Sequence, residues 1–150
     1  EDWDRYFRTN LQGVMNCCRA ALPVMVDEGR GRIVTIVSDA GRIGEARLAS
    51  YSAAKAGATG FTRAIARETG RYGITVNAVS LSTLEPPLDE EAMSAFMADE
   101  RTRNQLSRYA IRRFGKPEEV ANMVLFLCSD SAAWITGQTY PVNGGYSFAQ

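Results

Sequence analysis

Three short apolar runs, separated by stretches long enough to be helices, limit this chain more than any other feature. Arg32-Ile33-Val34-Thr35-Ile36-Val37 is β-branched and apolar on nearly every residue. A strand exposed on one face would alternate, so this run predicts a strand covered on both faces, as in a parallel sheet. Ile74-Thr75-Val76-Asn77-Ala78-Val79 reads as a second strand, and residues 138–142 as a third, ended by Asn143-Gly144-Gly145. The segments between them read as helices. Residues 3–25 place Trp3, Tyr6, Phe7, Leu11, Val14 and Met15 at spacings of three and four, an apolar stripe. Pro23 is expected to bend or end that helix. Residues 50–72 are rich in alanine, so a partner can pack closely, and Gly73 stops the helix. Lys116-Pro117-Glu118-Glu119 opens another, running to about residue 128, with proline in the first turn and acids at the positive end of the dipole. The order α-β-α-β-α-β predicts an α/β fold of three layers, α/β/α, around a parallel sheet. Sheets average about five or six strands, and this chain opens on a helix with no strand before it. The opening looks cut, so an N-terminal βαβ part of the same domain is expected to be missing.

Charge and residue types narrow the chemistry. Seventeen Lys plus Arg balance seventeen Asp plus Glu, so the formal net charge is zero. That argues against duplex nucleic acid as a partner, which calls for an excess of cations. There is no histidine, which excludes a Ser-His-Asp triad, a Cys-His pair and a His-ligated metal. Any proton transfer must run on Tyr, Lys, Asp, Glu, Ser or Cys. No stretch approaches the roughly 20 apolar residues of a membrane span. The start, Glu1-Asp2-Trp3-Asp4, is unlike a signal peptide. Cys17, Cys18 and Cys128 are odd in number and lack CxxC spacing, which fits a reduced, cytoplasmic compartment. With no cation near them, Cys17 and Cys18 read as small buried hydrophobes.

Tyr51-Ser52-Ala53-Ala54-Lys55 puts a phenol and an ammonium at i and i+4 on one helical face. A cation beside a phenol favours phenolate and lowers its pKa from roughly 10. Tyrosine then becomes a usable general acid or base in a chain without histidine. By itself the pair could equally be a solvated helix face. Ser38 stands at the carboxyl end of the first strand, thirteen positions before Tyr51, where open α/β sheets bind ligands. It could donate to a carbonyl oxygen there or satisfy a local turn.

Several motifs occur together: Thr9-Asn10-Leu11-Gln12-Gly13, Ile36-Val37-Ser38, Tyr51-Ser52-Ala53-Ala54-Lys55-Ala56-Gly57, Asn77-Ala78-Val79, Gly115-Lys116-Pro117-Glu118-Glu119-Val120-Ala121, and Thr136-Gly137-Gln138 followed by Asn143-Gly144-Gly145. In this combination the chain resembles the C-terminal part of a short-chain dehydrogenase/reductase, a Rossmann-like fold. It is most similar to the 3-oxoacyl-(acyl-carrier-protein) reductase branch of fatty acid metabolism and its acyl-CoA, sugar and alcohol relatives. The resemblance implies NAD(P)-dependent interconversion of a ketone and a secondary alcohol. In that reading Tyr51 is the general acid or base, and Lys55 holds the nicotinamide ribose and lowers the Tyr51 pKa. Ser38 polarises the substrate carbonyl. Asn10 holds a water linking Lys55 to solvent, its alternative being a polar kink in the first helix. Leu84 contacts the nicotinamide carboxamide through its backbone. The resemblance also implies a homodimer or homotetramer, and NADP or NAD as cofactor.

The sequence departs from the family pattern in two places. The glycine-rich phosphate loop and the Asn-Asn-Ala-Gly strand are not among these residues, so the adenosine half of the cofactor has no cradle here. Leu81-Ser82 stands where Pro-Gly is usual, with Pro86 at the following threonine, and Thr83 is the candidate replacement hydroxyl. Residues 89–116 read as a lid of one or two short helices, acidic first and basic later. Its cations could meet a CoA or phosphopantetheine phosphate or an acidic carrier protein, or form a solvated face. Met93, Phe96 and Met97 read as helix core. The rival function is a truncated or non-catalytic chain serving as an oligomer partner. A second is a dehydratase or epimerase of the family's extended branch.

Overall fold

The protein is described from a computed structural model, which covers residues 2–148. Its first helical stretch is three elements in series. Helix α1 (Trp3–Phe7) passes into a π-helical turn (Arg8–Gln12) and then into α2 (Gly13–Asp27). The Gly13 N–H bonds the Arg8 carbonyl, five residues back, and Asn10 sits mid-turn. Single π turns inside α-helices recur at functional positions. The apolar stripe seen in the sequence does not reveal this extra residue, because the stripe resumes one turn later. Pro23 does not end the helix, which runs one more turn to Asp27. Leu22, Met25 and Val26 beside it pack on the buried Ile74 and Val76, and that packing holds the turn together despite the missing N–H.

Strand β1 (Gly31–Ser38) leads to a single turn of helix, α3 (Ala40–Ile43), and then to the long α4 (Ala49–Thr69). A 3-10 turn (Gly70–Tyr72) ends at Gly73, which is left-handed at φ +71°. Strand β2 (Ile74–Leu81) follows, then α5 (Glu90–Ala98), α6 (Glu100–Leu106), α7 (Pro117–Cys128) and β3 (Thr139–Val142). The strands lie in the order β1-β2-β3, all parallel.

Alternate strand residues serve opposite layers, as the pleat requires. Val37 and Ala78 meet Ala58 of α4, Leu11 and Val14 on one face. Val34, Val79 and Leu81 meet Val120 and Leu127 of α7 on the other. Each such fully buried aliphatic contributes about 1.5–3 kcal/mol. Asn77, fully buried in β2, is accounted for by its partners. Its Nδ2 donates to the Ile135 carbonyl at 2.8 Å and its Oδ1 accepts from the Gln138 N–H at 3.1 Å. Two motifs that stand 60 residues apart are thus one joint, completed by Val76 N–H donating to Thr136 Oγ1 at 3.0 Å.

Strand β2 is two residues longer than its apolar run suggests. Leu81 pairs with Ser38 and Val142, and its carbonyl accepts from the Asp39 N–H at 2.9 Å. Leu-Ser can extend a ladder where proline would interrupt it. Of the lid residues expected in the core, Phe96 packs with Leu106, Tyr109 and Phe114, whereas Met97 is exposed. Cys18 is buried, and that burial pushes its thiol up, but Cys17 is exposed and so is not the core residue expected.

Candidate active site

The carboxyl ends of β1 and β2 open into a cleft of about 640 Å³. Ser38 enters it as the last residue of β1, and its Oγ accepts from the Ala40 N–H at 3.2 Å. Tyr51 enters from the first turn of α4. The loop after Ser38 reaches α4 because position 41 has no side chain. A Cβ on Gly41 would stand 2.8 Å from the Lys55 carbonyl carbon and the Ala56 nitrogen.

Lys55 lies one turn below Tyr51. Its Nζ is 5.7 Å from the Tyr51 ring centroid and donates to the Ile36 carbonyl at 3.1 Å. It is half-buried with no carboxylate partner among the described residues. Burial therefore pushes its ammonium below the ordinary 10.5. The folded-state value is the lower one, so the unfolded chain holds the extra proton between the two, and stability rises with pH across that window. The wild type should gain stability over Lys55→Met as pH climbs through the lowered value towards about 10. Urea midpoints across that range check this, and parallel curves would refute it.

The second tyrosine in the cleft, Tyr146, is differently placed. Burial first, and then its hydrogen bond to Glu45 at 2.8 Å, push it up to about 12. It remains a phenol, and Arg108 stacks on it at 4.6 Å.

Asn10 does not line this cleft. It lies in a neighbouring hollow with Asp2, Arg5, Tyr6 and Thr9. Its Nδ2 donates to the Tyr6 carbonyl at 3.2 Å, and the Tyr6 ring meets Tyr51 edge-on at 6.1 Å. Thr83 does line the cleft, with its Oγ1 accepting from Gln105 Nε2 at 2.7 Å. Leu84 forms a parallel bridge with Gly115. The bonds of that bridge run from Gly115 N–H to Thr83 O and from Glu85 N–H to Gly115 O, so the N–H and C=O of Leu84 face away from Gly115. Its side chain joins the apolar cluster under α7.

The sequence reading missed a buried node one residue beyond Ser38. Asp39 is 1% exposed. Its Oδ1 accepts from Ser80 Oγ at 2.7 Å and Arg42 at 2.9 Å, and its Oδ2 from Asn143 Nδ2 at 2.5 Å and Ser147 Oγ at 2.9 Å. One carboxylate ties the ends of β1, β2 and β3 to the C-terminal tail. The available signal was an aspartate with an arginine three positions on, in a loop otherwise made of small residues. Of the lid cations expected near the site, Arg101 and Arg108 stand with Asn104 and Gln105 at i, i+3, i+4 and i+7, the two amides not having been singled out in the sequence. All four line the cleft, while Thr102, Leu106 and Tyr109 are buried.

A parallel α/β/α sheet with a Ser, Tyr and Lys grouped at its carboxyl edge defines a dehydrogenase-type Rossmann-like protein. The family model described as enoyl-(acyl carrier protein) reductase matches residues 1–147. The 3-oxoacyl-(acyl-carrier-protein) reductases FabG of Staphylococcus aureus and of Escherichia coli are each 41% identical to this chain over 145 residues, 97% of this chain and 57% of theirs. A gluconate 5-dehydrogenase from Burkholderia cenocepacia, solved with NADP and tartrate, superposes with a TM-score of 0.88 at 29% identity, over 99% of this chain and 57% of that one. The chain belongs to the short-chain dehydrogenase/reductase family, and within it is similar to the 3-oxoacyl-(acyl-carrier-protein) reductases. It spans 57% of the length of those relatives.

Proposed function

We propose that residues 1–150 are the catalytic and lid part of a nicotinamide-dependent oxidoreductase that interconverts a ketone and a secondary alcohol. The observation that carries this is the grouping of Ser38 and Tyr51 in one cleft, with the desolvated Lys55 packed on the Tyr51 ring. The nicotinamide half of a dinucleotide fits these residues. Lys55 has no carboxylate to neutralise it and can hold the ribose hydroxyls, Leu84 turns its backbone N–H and C=O away from Gly115, and Thr83 adds a hydroxyl at the rim. NADP or NAD bound there supplies or accepts the hydride.

The protein's own share is proton and oxygen chemistry. Tyr51 gives its phenolic proton to the carbonyl oxygen during reduction and takes it back during oxidation. Lys55 favours the phenolate that remains. Ser38 donates a hydrogen bond to the same oxygen while its Oγ still accepts from the Ala40 N–H. In this reading Asn10, in the π turn, holds a water on the path that returns a proton to Lys55. The substrate side is a small carbonyl compound or its alcohol, as the free molecule or as a CoA or carrier-protein thioester. A homodimer or homotetramer in the cytoplasm completes the proposal.

The test is a titration of reduced nicotinamide fluorescence against the protein, followed by a ketone-dependent loss of that fluorescence. Binding and turnover would support the reading. Cofactor binding without turnover of any ketone or alcohol would favour the non-catalytic oligomer partner instead.

A further inference from the structure

The charged groups of the cleft wall pair off with one left over. Asp39 is spent on Arg42 and three neutral donors. Glu45 is spent on Tyr146 and Arg108. Among the described residues the Arg101 side chain has no ion pair and no hydrogen bond, and the side-chain amide of Asn104 has no intramolecular partner. The two stand at i and i+3 on α6, so they share one face of that helix, and both line the cleft that Tyr51 also lines. Ala40, Leu48, Leu81 and the rings of Tyr51 and Tyr146 supply the apolar lining, so the two free polar groups stand out on the α6 side. A compact anion finds there a guanidinium and an amide on one helical face, the donor set for a charge-assisted, two-point contact.

We infer that Arg101, with Asn104, forms a specificity subsite for an anionic oxygen group, carboxylate or phosphate, carried by the substrate close to its reacting carbon. This rests on reading the cleft as a ketone and alcohol site. It narrows that reading to acidic substrates and makes Arg101 the residue that selects them.

Binding is read by calorimetry in Tyr51→Phe protein with nicotinamide cofactor present, so that no turnover is needed. Two matched pairs serve as probes: levulinate against its methyl ester, and dihydroxyacetone phosphate against dihydroxyacetone. The expected result is that at least one anion binds about 10–100-fold tighter than its neutral partner, the scale of one charge-assisted contact. Whichever pair shows the difference identifies carboxylate or phosphate as the group. Arg101→Gln should collapse that ratio towards one, and Arg101→Lys should restore part of it. In the Tyr51 protein the same loss should fall on KM rather than kcat. Equal affinity within both pairs, or a preference that survives Arg101→Gln, would overturn the subsite. An intact preference in a protein that turns over no ketone would sink the oxidoreductase reading and leave the subsite standing.

Discussion

Tyr51→Phe is expected to lower kcat for carbonyl reduction by about 10²–10⁴-fold, the range a positioned general acid supplies, with the unfolding midpoint nearly unchanged. The structure separates the two effects. The Tyr51 hydroxyl has no hydrogen-bond partner among the described residues, so removing it orphans nothing. The ring, which meets Tyr6 edge-on and carries the Lys55 ammonium over it, is kept by phenylalanine. Steady-state kinetics at saturating cofactor, alongside urea unfolding, make the measurement. Activity above about a tenth of wild type would remove Tyr51 from the proton path. A large stability loss would show instead that the hydroxyl is structural.

Asp39→Ala should act on the fold. It deletes a buried carboxylate that accepts from four side chains and leaves the Arg42 guanidinium, whose side chain is 10% exposed, without its counter-charge. Breaking one side of a buried pair costs about 3–5 kcal/mol, a large part of the 5–15 kcal/mol typical of a domain. The double change Asp39→Ala with Arg42→Met should regain part of that loss, because the orphaned charge goes with it. Urea denaturation of the three variants checks this. A loss below about 1 kcal/mol for Asp39→Ala would mean that water replaces the carboxylate and that the node is not structural.

Patterns along one element were readable in the sequence. The two apolar runs gave β1 and β2, the alanine-rich stretch gave α4 with its stop at Gly73, and Pro117 with its following acids gave the start of α7. The pairing of Tyr51 with Lys55 follows from helical spacing alone. What depends on two or more elements was not readable. Asp39 acquires its meaning only when Ser80, Asn143 and Ser147 arrive from β2 and from beyond β3. The cations Arg101 and Arg108 read in the sequence as either a phosphate contact or a solvated face, and only the fold brings them, with Asn104 and Gln105, to the wall of the same cleft as Tyr51. The π turn at Asn10 adds a single residue, and the apolar positions on either side of it, Phe7, Leu11 and Val14, still fall at spacings of four and three, so the stripe does not betray it.

The bridge between Leu84 and Gly115 closes a loop whose two ends leave the sheet region side by side. Everything between them, α5 and α6 included, is an excursion from that narrow neck. Below the neck lie Ser38, Tyr51 and Lys55, which no residue of the excursion supplies. Outside it, the only backbone ties among the described residues are Ala110 and Ile111 to the glycines of the tail. In the proposed function, chemistry and selectivity are thus carried on separable lengths of chain. The excursion can lengthen, shorten or be traded for another without moving the groups that handle the proton, and a common scaffold can thereby acquire new substrates one loop at a time.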